Sequence, residues 1–241
     1  MRRKRLLISV GLICGFVLLV LLGLVVMVKR EPNFYEQASV PAGPARVSAS
    51  NAAIGEFTKL NSSLINYEAE WKVQFITDQV NAYFQEHFPN HGGDDNLPEG
   101  CHAPRVKIED DKIRIGVRYG EGLLSTILTL ELKLWLVPNE SNVLAMEIVS
   151  LQAGSLPLST GTLLDSISEA ARREKIDITW YRHKGHPVGI MRFQSDMTRP
   201  TFQFERVETK DGKLTIVGRS TDLGAAPLLP GPPPRVVTPK K

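Results

Sequence analysis

Residues 123–137 read LLSTILTLELKLWLV, and every second position forms one row: Leu124, Thr126, Leu128, Leu130, Leu132, Leu134 and Leu136. The other row is mixed, with Ser125, Ile127, Thr129, Glu131, Lys133 and Trp135. A period of two defines a β-strand with one almost continuously apolar face. Glu131 and Lys133 interrupt the run, so it is not a helix crossing a bilayer. At about 3.3 Å per residue the stretch reaches roughly 50 Å, well beyond the usual strand of about five or six residues. Whatever covers the Leu row therefore decides the fold, and its identity decides the function.

A second apolar run, residues 6–28, contains no charged side chain. It is long enough to cross a hydrocarbon layer of about 30 Å as a helix. MRRKR precedes it and Lys29-Arg30-Glu31 follows it, so the charge bias places the N-terminus in the cytoplasm and the rest of the chain outside. The run exceeds the apolar region of a cleaved signal peptide, and no A-x-A site closes it. Single-pass anchoring in the cell membrane is the expectation. Composition agrees once the two parts are separated. The whole chain has 29 Lys+Arg and 26 Asp+Glu; residues 1–30 hold six of the basic residues and no acid, which leaves 23 against 26 for the remainder. The basic character thus belongs to the anchor, and a nucleic-acid partner is not expected. Cys14 falls in the apolar run and Cys101 far outside it, so no disulfide framework exists.

The expected organisation is a basic tail over 1–5, the span over 6–28, an extended linker over 29–50 rich in Pro and small residues, an extracytoplasmic domain over 51–221, and a Pro-rich disordered tail over 222–241. Within the domain, Asn51 caps a short helix to about Lys59. Alternation from Ile65 to Phe75 gives a strand, and Thr77 caps a helix to about Phe88 through Val80 and Phe84. A hairpin turns at 109–112, the Leu strand follows, and residues 143–152 return beside it. Leu163, Leu164, Ile167, Ala170 and Ala171 line a second helix that ends in Arg172, Arg173 and Lys175. Further strands surround residues 183–187, and Asp211-Gly212 marks a closing hairpin. The fold expected is α+β: an N-terminal transmembrane helix followed by a curved, mostly antiparallel sheet with two helices packed on its concave face.

ITDQVNAYF, LQAGSLPLSTGTLLDSI and KDGKLTIVG, in this order after an anchor and around a long central hairpin, resemble the YpmS-like family of bacterial membrane-anchored proteins. The strand, Gly, Leu-Pro, helix element is also similar to that of LmeA-type proteins, which are compared with tubular lipid-binding folds. The resemblance spans about residues 64–219, with Ser159 standing where a proline often follows in the family. It implies a sheet curled around a helix and a link to lipids.

Catalytic and metal chemistry find little footing. The five histidines, with Asp94, Asp95 and Cys101, supply ligand types but no HExxH or CxxC spacing, and Pro89 separates His87 from His91. No G-x-S-x-G or P-loop occurs. No enzyme activity and no cofactor are expected. Two readings remain. In one, Leu124, Leu128, Leu130, Leu132, Leu134 and Leu136, with Val80, Phe84, Leu164 and Ile167, line a groove for a hydrophobic or lipid-like ligand. The basic residues Arg172, Arg173, Lys175, Arg182 and Lys184 then contact lipid headgroups. In the other, the helices fill the face completely and the module is an envelope scaffold for protein partners.

Overall fold

In a computed structural model of the chain the described residues are 2–93, 97–122, 125–173, 176–193 and 201–220, side chains of 2–15 excepted. Helix α1 (Arg2–Lys29) is followed by α2 (Asn33–Gln37), α3 (Pro44–Ile65), strand β1 (Trp71–Ile76) and α4 (Thr77–Glu86). Then come β2 (Cys101–Glu109), β3 (Lys112–Tyr119), β4 (Thr126–Leu136), β5 (Val143–Ala153), β6 (Leu156–Pro157), α5 (Gly161–Arg173), β7 (Asp177–His183), β8 (His186–Arg192), β9 (Phe202–Lys210) and β10 (Lys213–Ser220). The chain is α+β, and among the described residues every strand pairing is antiparallel.

The Leu strand becomes β4 and sits inside a large sheet of order β2-β3-β4-β5-β8-β7, with β6 added to β5. It has eleven residues rather than fifteen. Val137 already bonds across the turn to Val143 O, and Leu123 and Leu124 lie outside the described residues. Its apolar row matches apolar rows on both sides: Ile113, Ile115 and Val117 face Leu132, Leu130 and Leu128 across β3, while Leu136, Leu134 and Leu132 face Leu144, Met146 and Ile148 across β5. A bulge between Glu131 and Leu132 leaves Val149 unpaired with β4, so both strands keep one apolar side. On the opposite side the ionic residues have a purpose. Lys112 Nζ lies 2.7 Å from Glu131 Oε1, and Lys133 Nζ lies 2.9 Å from Asp111 Oδ2. Burial opposes ionisation of Glu131, but the Lys112 ammonium outweighs it and holds the carboxyl below the usual range.

One sheet was expected, and the described residues form two. β1, β10 and β9 form a separate three-stranded sheet. Strand β9 runs from Asn142, whose side chain bonds the backbone of Phe202 and Phe204, to Asp111, whose N–H donates to Thr209 O. It therefore crosses the end of the large sheet where the turns after β2 and β4 meet. Asp211 and Gly212 both take positive φ, 51° and 73°, as the expected two-residue hairpin demands.

The expected linker over 29–50 is corrected. Arg30 to Pro32 are the three residues between α1 and α2, and α3 starts at Pro44 and runs 22 residues. Proline at the first helical position is favourable because its missing N–H has no intrahelical partner there, so Pro44 starts a helix instead of preventing one. The short helix expected over 51–59 is the middle of α3, and the folded domain begins before residue 51. The strand expected from Ile65 is also shortened to Trp71–Ile76: Ile65 ends α3, and Tyr67 turns the chain at φ 52°. Thr77 does not cap α4 with its side chain. Its hydroxyl instead donates to Gly212 O at 2.9 Å and accepts from Ile108 N at 3.2 Å, joining the two sheets.

Among the described residues, no helix is long and apolar enough to cross a membrane. The first part of the span expected over 6–28, residues 6–15, lies where side chains are not described.

Candidate functional site

The Leu face of β4 is unevenly covered. At its centre Leu132, Ile113 and Met146 are 6–8% exposed, with Val106 and Ile108 from β2 beside them. Val80 and Phe84 from α4, Ile167 from α5 and Leu214 from β10 pack on this cluster, together with Leu130 and Leu134. Leu128 and Leu136, towards the two ends of the strand, are half-buried. Of the groove residues expected from sequence, Leu130, Leu132, Leu134, Val80, Phe84 and Ile167 are thus brought to one cluster. Leu164 is half-buried on α5, and Leu124 lies outside the described residues.

The two helices on this face are held very differently. Asn81 of α4 is fully buried and forms two bonds with one strand residue: its Nδ2 donates to Val106 O at 2.7 Å, and Val106 N donates to its Oδ1 at 2.8 Å. Its amide therefore extends the backbone pattern of β2, which fixes the helix position to one residue. Helix α5 has no buried residue, although Leu163, Leu164, Ile167 and Ala171 share one side of it. It is tied to the sheet by Trp180, whose Nε1 donates to Ser168 Oγ at 2.8 Å. Gly189 allows this, because a Cβ there would come within 2.9 Å of the Trp180 ring and of Ile178. Beside this tie is a cavity of about 320 Å³ lined by Ser168, Arg172, Ile176, Asp177 and Ile178. That volume falls at the small end of ligand sites.

The basic residues expected to form one patch are separated. Arg172 and Arg173 end α5 near Asp177, whereas Arg182 is five residues further along β7, roughly 16 Å at strand spacing, with Lys184 in the turn beyond. Lys175 lies outside the described residues. Arg173 is paired with Glu169 at 2.6 Å, which keeps that carboxyl below its ordinary value. Asp177 is in register with Arg192, and Arg192 with Val143. The C-terminal end of α5 therefore lies at the Val143 end of β5, away from Ala153 and from the end of α1.

The joint with α1 gave no sign of itself in the sequence. Ser155 N donates to Met27 O at 2.8 Å, Thr126 Oγ1 donates to Val28 O, and Lys29 Nζ donates to Ser125 O at 2.8 Å. Gly154, at φ 59°, passes so close to α1 that a Cβ would run into the carbonyls of Met27 and Val28. Beyond α1, Glu31 meets Arg118 at 2.6 Å. Tyr35, 1% exposed, lies against Arg105 with the guanidinium carbon 4.4 Å from the ring centre. Its hydroxyl donates to Ala103 O at 2.7 Å, where β2 has a register break and Ala103 a φ of 50°. Burial pushes the Tyr35 hydroxyl up, with Arg105 and Arg118 opposing it. Gly116 leaves the space for this ring: a Cβ there would come within 2.6 Å of Tyr35.

Among the described residues no group of three His, Cys, Asp or Glu side chains is placed to hold a metal ion. His186 Nδ1 lies 2.6 Å from Glu147 Oε1 on the far side of the sheet, and Cys101 is a half-buried thiol whose pKa burial raises. Comparison with known families, curated proteins and solved structures found no match to this chain.

Proposed function

We propose that this chain is a single-pass membrane protein, anchored through residues 6–28 with its N-terminus in the cytoplasm, whose extracytoplasmic domain accommodates a hydrophobic, lipid-like ligand between α5 and the Leu face of β4. The proposed role is binding or handling of that ligand, without catalysis. The observation that carries the reading is the seating of α5. An amphipathic helix with no buried residue leaves apolar area on both itself and the sheet, and an acyl chain between them would remove that area from water at about 25 cal/mol per Å². The half-buried Leu128, Leu136 and Leu164 are the positions such a chain would cover.

A second reading draws on the centre of the face. Leu132, Ile113 and Met146 already pack against protein, which favours a scaffold that meets protein partners through its surface. Native mass spectrometry of the detergent-purified full chain separates the two. Bound lipid that is lost in Leu164→Glu, with the thermal midpoint nearly unchanged, supports the ligand reading. A lipid-free wild-type protein that gains no fluorescence with an apolar dye removes it and leaves the scaffold.

A further inference from the structure

We infer that the rim of the domain around the end of α1, carrying Tyr119, Gly154, Ser155 and Leu158, lies in the headgroup layer of the same bilayer that α1 spans. The inference rests on the anchoring proposed above and adds the orientation and depth of the domain.

No long spacer separates α1 from the domain: residues 30–32 alone lie between α1 and α2. The apolar run ends at Val28, so in a spanning helix the carbonyls of Met27 and Val28 mark the edge of the hydrocarbon. Those two carbonyls accept from Ser155 N and Thr126 Oγ1. The start of β4 and the turn after β5, which donate to them, therefore sit within about one helical turn, roughly 5 Å, of that edge. The interfacial region on each side of a bilayer is of similar thickness or slightly more, since about 40–45 Å in total encloses about 30 Å of hydrocarbon. The domain has no slack with which to move outwards. Three residues join α1 to α2, and Phe34 and Tyr35 in α2 are 5% and 1% exposed against the sheet.

The side chains on this rim suit that depth. Tyr119 is 47% exposed and Leu158 39%, one just before the loop that precedes β4 and the other just after β6. A tyrosine at the headgroup level keeps its ring in an apolar layer and its hydroxyl in a wet one. Lys29 and Arg30 directly follow Val28 in sequence, at the depth where cations meet anionic lipid. Lipid chemistry is thus the partner: a phospholipid surface, held in register with the domain by α1. The placement also puts the first residue of α5, three residues after Leu158, next to the bilayer, and its Arg172–Arg173 end away from it.

Depth is measured on the full chain in vesicles of phosphatidylcholine and phosphatidylglycerol, with Cys14→Ser and Cys101→Ser as background. Single nitroxides are placed by Leu158→Cys, Phe16→Cys and Asp211→Cys, and collisions with oxygen and with a soluble nickel chelate are compared. The expected result is a high oxygen-to-nickel ratio at 16, an intermediate one at 158 and a low one at 211, on the turn between β9 and β10. A ratio at 158 equal to that at 211, with 16 still deep in lipid, overturns the rim placement and leaves the anchor standing. A nitroxide at 16 that collides as freely with nickel as one at 211 overturns the anchor, and the rim placement with it.

Discussion

Helices α4 and α5 lie on the same side of one sheet and reach the same apolar cluster, yet one is locked and the other rests on it. Asn81 and Ala82 in α4 are fully buried, and Asn81 satisfies both backbone groups of Val106. In α5 every side chain keeps some exposure, and Trp180–Ser168 provides its polar tie. Elements with few buried contacts open locally at lower cost than those that share the core. Hydrophobic periodicity alone therefore does not state how firmly a helix is held: both helices carry an apolar stripe, and the buried amide separates them.

The largest expected effect comes from removing the lock. Asn81→Ala leaves Val106 N and O without partners in a buried place, and we expect a loss of about 3 kcal/mol, read as a lower urea midpoint. Leu132→Ala, beneath both helices, should cost a similar amount, about 3 kcal/mol, through the cavity it leaves. An Asn81→Ala protein as stable as the wild type would break the contrast from the α4 side. Ile167→Ala tests the α5 side: a half-exposed position should cost about 1 kcal/mol, clearly less than Leu132→Ala. A cost equal to that of Leu132→Ala would show α5 to be as firmly seated as α4.

Smaller effects sharpen the picture. Trp180→Phe removes the Nε1 donor to Ser168 and should cost about 1 kcal/mol; faster amide exchange confined to α5 is the signature to look for. Acid acts on the sheet that both helices share. Glu131 is held below its ordinary value by Lys112 after burial is overcome. Its contribution is complete above an unfolded-state pKa of about 4.3 and is lost as pH falls through the lower folded value. Glu131→Gln should therefore flatten the fall in stability below about pH 4.5, an effect of about 1 kcal/mol or less. An unchanged acid limb would show that this ion pair contributes nothing.

Much of the architecture was legible because period-two alternation is explicit in the residues. β4, β5 and the Asp211-Gly212 turn could be read directly, and so could the apolar stripes of α4 and α5. The N-terminal segment could not. Pro41, Gly43 and Pro44 read as spacer, but Pro44 begins a 22-residue helix, and only the sheet surface around Gly116 explains why Tyr35 is buried. The element Gly154-Ser155-Leu156-Pro157 was visible as a motif, whereas its contact, the end of α1, lies more than a hundred residues earlier in the chain. The candidate site was half legible. The Leu row follows from spacing, but its division into a packed centre and half-covered ends depends on where α4, α5 and β10 come to rest.

The most direct test of the account is hydrogen–deuterium exchange on the full chain with and without added phospholipid, comparing peptides from α4 and α5. Helix α5 should exchange well before α4 in lipid-free detergent and slow when phospholipid is supplied, while α4 stays unchanged. Equal protection of the two helices without lipid, and no response of α5 to it, would contradict it.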